Sequence, residues 1–421
     1  MNDPRAVFPQ AIRWESQGTS RIPFMAYTEA EQHKRELERF FYKGHWCYVG
    51  LEAEVPHPGD FKRTVVGERS VIMVRDAEGE IRVVENVCAH RGMQFCRERH
   101  GNRKDGGFTC PYHQWNYTLK GELQGVPFRR GVKQDGKVNG GMPADFKPAE
   151  HGLTQLKVAT RGGVVFASFD HDVEPFEDFL GPDILRYFDR LFNGRKLTIL
   201  GYSRQRIPGN WKLMQENIKD PYHPGLLHTW FVTFGLWRAD NKSELKMDAR
   251  GRHAAMISTR GSAGKAEQVT QVSSFKESMQ LKDPRFLDIA PEPWWGGPTA
   301  VMMTLFPSLI LQQQVNSVST RHIQPAGHDA FDFVWTHFGF EDDTEEMTQR
   351  RLRQANLFGP AGFVSADDGE VIEFSQEGFE QKPFHRTLAE LGGREVENTD
   401  HMVTETLIRG MYRYWREVME A

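Results

Sequence analysis

One pattern limits what this chain can fold into more than any other: two short cysteine–histidine pairs at a set distance. Cys88-Ala89-His90 is followed, after nineteen residues, by Cys110-Pro111-Tyr112-His113. Each pair offers one thiolate and one imidazole, and each lies beside a stretch with hairpin character. Ser70 to Val87 alternates around Asp76-Ala77-Glu78-Gly79, and Phe108 to Val126 turns at Lys120-Gly121. Two such loops facing each other present two Cys and two His to one point. A tetrahedral zinc accepts that set. So does a [2Fe-2S] cluster with both Cys on one iron and both His on the other. Zinc fingers usually pair like residues locally, whereas here each loop carries one of each, which suits a cluster that both loops straddle. The bland alternative is core cysteines beside surface histidines. Gly106-Gly107 gives the gap its extra length in an exposed loop.

A second constellation lies in the segment Asn210 to His228. His223 and His228 are five residues apart, which on a regular helix sets them about 140° apart. Pro221 and Pro224 break regular hydrogen bonding there, so the segment must bend, and bulged helices recur at functional sites. Two imidazoles need one carboxylate to complete the open triad of non-haem Fe(II) oxygenases. The candidates are Asp367 and Asp368, within Gly359 to Glu370. Alone, two histidines in a helix are more often structural. Beside the first constellation the balance shifts to iron.

Composition narrows the class. Lys plus Arg is 53 and Asp plus Glu is 57, a net charge of −4, which argues against a surface built for nucleic-acid phosphates. With 421 residues, 39% apolar and 26% charged, the chain has ordinary globular makeup and buries a core without disulfides. Cys47 and Cys96 read as buried small residues. Met1 to Arg13 has no apolar core of signal-peptide length, and no apolar stretch spans a bilayer. A cytoplasmic protein without membrane contact is expected. No Gly-rich dinucleotide-binding turn is found.

Both constellations together, in Val87 to Gly92, Cys110 to Gly125, Asn210 to His228, Gln312 to His322 and Gln354 to Gly369, resemble the large (α) subunit of Rieske non-haem iron ring-hydroxylating oxygenases. The resemblance runs from about residue 40 to 420 and is strongest to members acting on aromatic acids, salicylate foremost. It implies that Cys88, His90, Cys110 and His113 hold a [2Fe-2S] cluster. It implies that His223, His228 and Asp368 bind one Fe(2+), Asp368 fitting better than Asp367. Asp220, three residues before His223, falls where the family places a catalytic acidic bridge to a cluster histidine of the neighbouring subunit in a trimer. Such a carboxylate accepts an N–H from each ring. Asn217 points to the same region with a weaker role.

On the substrate side, Met302 to Ile323 supplies alternating apolar side chains, with Arg321 near its end. An arginine at a pocket wall grips a carboxylate with two parallel hydrogen bonds, and the resemblance favours that role. Met256 and Ser258 are further candidate pocket residues. The implied reaction uses O2 and electrons from NADH, through a ferredoxin reductase and a ferredoxin, to convert salicylate to gentisate. The alternative is cis-dihydroxylation of another aromatic acid such as terephthalate or anthranilate. A small β subunit in an α3β3 assembly is the expected partner. A pure electron carrier and a zinc-stabilised binding module are the competing classes, and the chain length after residue 175 argues against the carrier.

The fold expected is α+β: a small all-β Rieske domain and a larger catalytic domain with an antiparallel β-sheet flanked by helices. Residues 1–44 are expected as a helical segment packing on the catalytic domain, 45–165 as the Rieske domain and 166–421 as the catalytic domain. Helices are predicted over Tyr27 to Tyr42, Pro175 to Phe192, Asn210 to Lys219, Thr344 to Leu357 and Thr404 to Met419. Strands are predicted over Thr154 to Phe169, Leu197 to Ile207, Ala254 to Ser258, Thr299 to Gln324 and Phe331 to Phe340. Residues 259–295 are predicted as a long surface loop.

Overall fold

Short strands joined by glycine turns fill the first third of the chain. The computed structural model describes residues 12, 14, 18–103, 106–234, 242–259, 282–297 and 300–420. By contact density it divides into Phe41–Val173 and a second unit, Met1–Phe40 with Glu174–Ala421. The first unit holds β1 (Cys47–Leu51), β2 (Asp60–Val66), β3 (Arg69–Arg75), β4 (Ile81–Glu85), β5 (His100–Asn102) and β6 (Gly107–Thr109). It continues with β7 (Asn116–Thr118), β8 (Leu123–Gly125), β9 (Val132–Gln134), β10 (Lys137–Asn139), β11 (Lys157–Arg161) and β12 (Val164–Ser168). These pair as β1-β12-β11, β4-β3-β2-β5, β6-β7-β8 and β10-β9.

Local chemistry fixes the hairpins. The buried Asp76 carboxylate accepts the backbone N–H groups of Glu78 and Glu80, closing the β3–β4 turn. Gly107 is not in the exposed loop that its sequence suggested. It sits in β6, where an added Cβ would lie 2.5 Å from the Tyr117 carbonyl oxygen, so only glycine permits that strand pairing. The hydrogen bonds of this unit also run past residue 165, its expected end. Gly44 N–H donates to Asp170, and Lys157 Nζ donates to the carbonyls of His171 and Val173.

The second unit opens with α1 (Met25–Thr28) and α2 (Ala30–Glu36), after which Leu37–Phe41 widens into a π-helix. Glu36 ties this segment to the rest of the unit. Its buried carboxylate accepts from Lys212 Nζ, Trp211 Nε1 and Trp415 Nε1. The unit adds α3 (Phe176–Leu180), α4 (Pro182–Leu191), α5 (Trp211–Lys219), α6 (Pro224–Leu227), α7 (Thr229–Thr233), α8 (Glu345–Phe358), α9 (Ser365–Gln381) and α10 (Thr406–Glu420). Its strands are β13 (Leu197–Pro208), β14 (Lys242–Met247), β15 (Ala254–Thr259), β16 (Ala300–Leu305), β17 (Leu309–Gln314), β18 (Ser317–Pro325) and β19 (Ala330–Phe340). They form one antiparallel sheet, β13-β19-β18-β17-β16-β15-β14. Most of the loop predicted at 259–295 lies outside the described residues. Among the described residues no helix is long and apolar enough to cross a membrane.

The sheet is covered on both faces. On one, Phe192 after α4 stacks on Phe338. On the other, Lys219 of α5 donates to Thr304, and Gln205 exchanges hydrogen bonds with Ser365 of α9. Central strand β18 is therefore buried throughout. Its polar alternate residues Ser317, Ser319 and Arg321 face helices, not water, and this face positions the site described next.

Candidate metal centres

The two cysteine–histidine loops fold into the same turn. Cys88 N–H donates to the Met93 carbonyl, and Gly92 N–H to that of Cys88. Cys110 N–H donates to the Trp115 carbonyl, and Gln114 N–H to that of Cys110. The fifth residue of each turn has positive φ, +70° at Gly92 and +60° at Gln114. Both cysteines are buried over a core of Phe61, Phe95, Phe108, Trp115 and Tyr117, while both histidines reach toward solvent.

The donors sort into a sulfur end and a nitrogen end. The His90 and His113 ring centres are 4.6 Å apart, and each ring leaves a buried Nδ1 without a partner among the described residues. Burial pushes the Cys110 thiol up, and the neighbouring Cys88 sulfur adds to this, which a metal would reverse by taking both as thiolates. Tyr117 hydroxyl accepts the Ala89 N–H and lies 3.1 Å from Cys88 Sγ, so its own proton is free for the sulfur. Four ligands on a single ion at 2.0–2.3 Å would all crowd within about 4 Å of one another. Among the described residues the one triplet converging within 4.8 Å is elsewhere, at His223, His228 and Asp368. The first site therefore fits a two-iron cluster and not a lone zinc. Cys47 and Cys96 stand apart from it, buried and hydrogen-bonded to the backbone carbonyls of Phe41 and Glu98.

The second site grows from a broken helix. Asn210 caps the start of α5 by accepting the Lys212 N–H. The helix stops at Lys219, because Pro221 cannot continue it. Asp220 Oδ1 then accepts the N–H groups of Tyr222 and His223, turning the chain into the single turn α6. His223 and His228 flank that turn. The bend does what a straight helix cannot: the rings lie 5.3 Å apart, near perpendicular.

Three carboxylates complete the arrangement. His223 Nε2 and His228 Nε2 lie 3.6 and 3.2 Å from one atom, Asp368 Oδ1. Their other nitrogens are backed by separate acids, His223 Nδ1 by Asp220 at 3.4 Å and His228 Nδ1 by Asp367 at 3.1 Å. Asn217 Nδ2 donates to Asp368 Oδ1 at 3.1 Å. Burial pulls the His223 ring down, but Asp220 and Asp368 outweigh it and push it up to about 9. Burial also opposes ionisation of Asp368, yet both histidines hold it well below the usual carboxylate range. Three acids around two imidazoles make a hole for a divalent cation, and three protein ligands leave its remaining positions open. Asp367 and Asp368 are neighbours in the first turn of α9, where a helix N-terminus favours negative charge. The residue pattern does not predict that helix, and it offers Asp367 only as the rival ligand. In the structure Asp367 Oδ2 meets His228 Nδ1, on the side of the ring away from Asp368.

Arg321 is 2% exposed, and its guanidinium lies 4.0 Å over the Trp335 ring. Among the described residues no carboxylate lies in salt-bridge reach of it, and its Nε has no partner. Burial pulls it down to about 9, with Asp368 opposing, so it stays cationic near neutrality. Strand register puts Met256 and Ser258 on the face that carries Arg321. They lie three strands away, about 14 Å at ~4.8 Å per strand, and Met256 packs beside Leu245, Met247, Ala254 and Leu407. The side chains bordering Arg321 are others: Ile310 and Trp335 directly across, Ser319 along the strand, and Gln312 and His337 diagonally.

Two family models match the chain, and each range contains one of the two candidate donor sets. Residues 45–135 match the Rieske [2Fe-2S] domain, and residues 192–421 match the ring hydroxylating alpha subunit (catalytic domain). The chain is 79% identical, over 100% of both chains, to "Salicylate 5-hydroxylase, large oxygenase component" of Ralstonia sp.. It is 38% identical, over 97% of both, to "Terephthalate 1,2-dioxygenase, terminal oxygenase component subunit alpha 2" of Comamonas sp.. In fold it is similar to naphthalene 1,2-dioxygenase from Rhodococcus sp., with TM-score 0.78 and 24% identity over 95% of this chain and 94% of that one. With a [2Fe-2S] cluster and a mononuclear non-haem iron as its cofactors, the chain belongs to the large (α) subunit family of the Rieske ring-hydroxylating oxygenases.

Proposed function

We propose that this chain is the terminal oxygenase that hydroxylates salicylate to gentisate. The observation that carries the reading is Arg321, a buried cation without an acid partner among the described residues, on the sheet face covered by the helices that present His223, His228 and Asp368. An aromatic carboxylate supplies the missing anion. The relative at 79% identity, whose name contains salicylate, supports the choice of acid. A second reading, cis-dihydroxylation of another aromatic acid, is favoured by the relatives named for terephthalate and anthranilate at 38% and 39% identity.

In this reading Cys88, His90, Cys110 and His113 hold the cluster, and His223, His228 and Asp368 hold the iron. When bound, the two groups supply stored electrons and the reductive activation of O2. The chain's own residues do the rest. Arg321 holds the substrate carboxylate and fixes which ring carbon faces the metal. Asp220 and Asp367 keep both imidazoles in the tautomer that leaves Nε2 free. The burial of His228 and Asp368 excludes water from that corner. Asp220, still part-exposed, links His223 to a cluster histidine of a neighbouring copy. One oxygen atom enters the ring and the other leaves as water, with two electrons and two protons consumed. NADH provides the electrons through a reductase and a ferredoxin, and a small β subunit completes an α3β3 assembly in the cytoplasm.

The test is product identification. The holoenzyme with its small subunit, ferredoxin, reductase, NADH and salicylate is run under labelled O2. Gentisate carrying one labelled oxygen is the expected product. No gentisate, with both metals verified, moves the substrate to another aromatic acid, and a labelled cis-diol supports the second reading.

A further inference from the structure

The face around Arg321 carries more unused polarity than a carboxylate anchor needs. Gln312, Ser319 and His337 are direct cross-strand neighbours in one row, in the order Gln312, Ser319, His337 across β17, β18 and β19. They are 0%, 1% and 7% exposed. Each has a buried polar atom with no hydrogen-bond partner among the described residues: Gln312 Oε1, Ser319 Oγ and His337 Nδ1. Buried polar atoms are nearly always paired, so three orphans in one row call for an explanation.

Two of the three are held ready. Gln312 Nε2 donates to Gln314 Oε1 at 2.7 Å, which fixes its amide and leaves the carbonyl oxygen free. His337 Nε2 lies 3.2 Å from Ser203 Oγ, and the ring stacks on Trp335. Ser319 is two residues from Arg321 on the same strand face, about 7 Å along the backbone. The row therefore borders the space next to a carboxylate held by Arg321.

We propose that Gln312, Ser319 and His337 form the second half of the substrate site, a row that reads a hydroxyl ortho to the carboxylate held by Arg321. The inference rests on the proposed reading of Arg321. A phenol both donates and accepts one hydrogen bond. Gln312 Oε1 accepts a hydrogen bond, and Ser319 and His337 donate or accept one. Benzoate, lacking the hydroxyl, leaves the row without partners and binds more weakly.

The test is equilibrium binding of salicylate and benzoate to the oxidised holoenzyme with its small subunit. Wild type is expected to prefer salicylate by at least about tenfold, one hydrogen bond's worth. Ser319→Ala and His337→Leu are expected to narrow that ratio to about threefold or less by weakening salicylate and sparing benzoate, and Ser319→Thr to restore it. Equal weakening of both acids, or an unchanged ratio, overturns the proposal, because lost packing does not discriminate between the acids. Arg321→Met separates the two claims. It weakens both acids if the carboxylate reading holds, and if it weakens neither, that reading fails whatever the ratio does.

Discussion

The two metal centres are built on opposite plans. In the Rieske unit the four candidate donors lie in two turns with one hydrogen-bond pattern, close together in the chain, and the backbone does the positioning. In the catalytic unit the candidate donors lie on a broken helix and in the first turn of a distant one, and side chains do the positioning. Asp220, Asp367 and Asn217 each touch a member of the triad. A backbone-built site tolerates changes around its ligands. A side-chain-built site depends on every supporting group.

Stability contrasts as well. In the Rieske unit Glu54 is buried, which opposes its charge, but Lys62 at 2.7 Å prevails and lowers it to about 2. A depressed carboxyl stabilises above its unfolded pKa, and that stability is lost as pH falls from about 4.5 toward 2. In the catalytic unit Glu216, accepting from Tyr412, is raised by burial to about 7. A raised carboxyl contributes below about 4.5 and loses that contribution as pH rises through 7. The largest predicted effect follows. Glu54→Gln lowers Rieske-unit stability by about 3 kcal/mol at pH 7, and Glu216→Gln raises catalytic-unit stability by up to about 3 kcal/mol at pH 8 but by less than about 1 at pH 5. Hydrogen exchange resolved by unit, at each pH, reads both. The same sign in both units would remove the contrast.

Next in size are the acids behind the histidines. Asp367→Asn is expected to cost about 10–100-fold in iron affinity, measured by metal competition. Asp220→Asn is expected to keep most of the iron and slow oxidation of the reduced cluster by a similar factor, followed by stopped-flow recovery of the cluster's visible absorbance with salicylate and O2. Equal iron loss in both variants would make Asp220 a second orienting acid and not a bridge.

The smallest effect lies at Gln114, which occupies the left-handed position that glycine fills in the matching turn. Gln114→Gly should stabilise the second loop by about 1 kcal/mol, seen as slower cluster loss in urea. No change would mean that its exposed side chain already offsets the strain.

The same contrast explains what could be read from the residues alone. The Rieske unit was legible because spacing within one stretch carries its candidate donors, and hairpin alternation carries its strands. For the proposed iron site the bend that brings His223 and His228 together was legible through Pro221 before α6 and Pro224 at its start. The choice of Asp368 rested on resemblance, because α9 has Gly369 and β-branched residues near its start and little amphipathic pattern. At Gly369 an added Cβ would lie 3.0 Å from Gln205 Nε2, the movable end of a long side chain. The row beside Arg321 was hidden for another reason. Alternation in β18 suggests a wet polar face, and only the helices laid over it turn Ser319 and Arg321 into interior groups.

The most direct test of two independent centres is metal analysis with electron paramagnetic resonance on Asp368→Ala holoenzyme. The account predicts that about a third of the protein-bound iron is lost, the two-to-one split of a [2Fe-2S] cluster and one mononuclear iron, while the reduced-cluster signal keeps its shape and intensity. Loss of the cluster signal together with that iron, or full retention of iron, would contradict it.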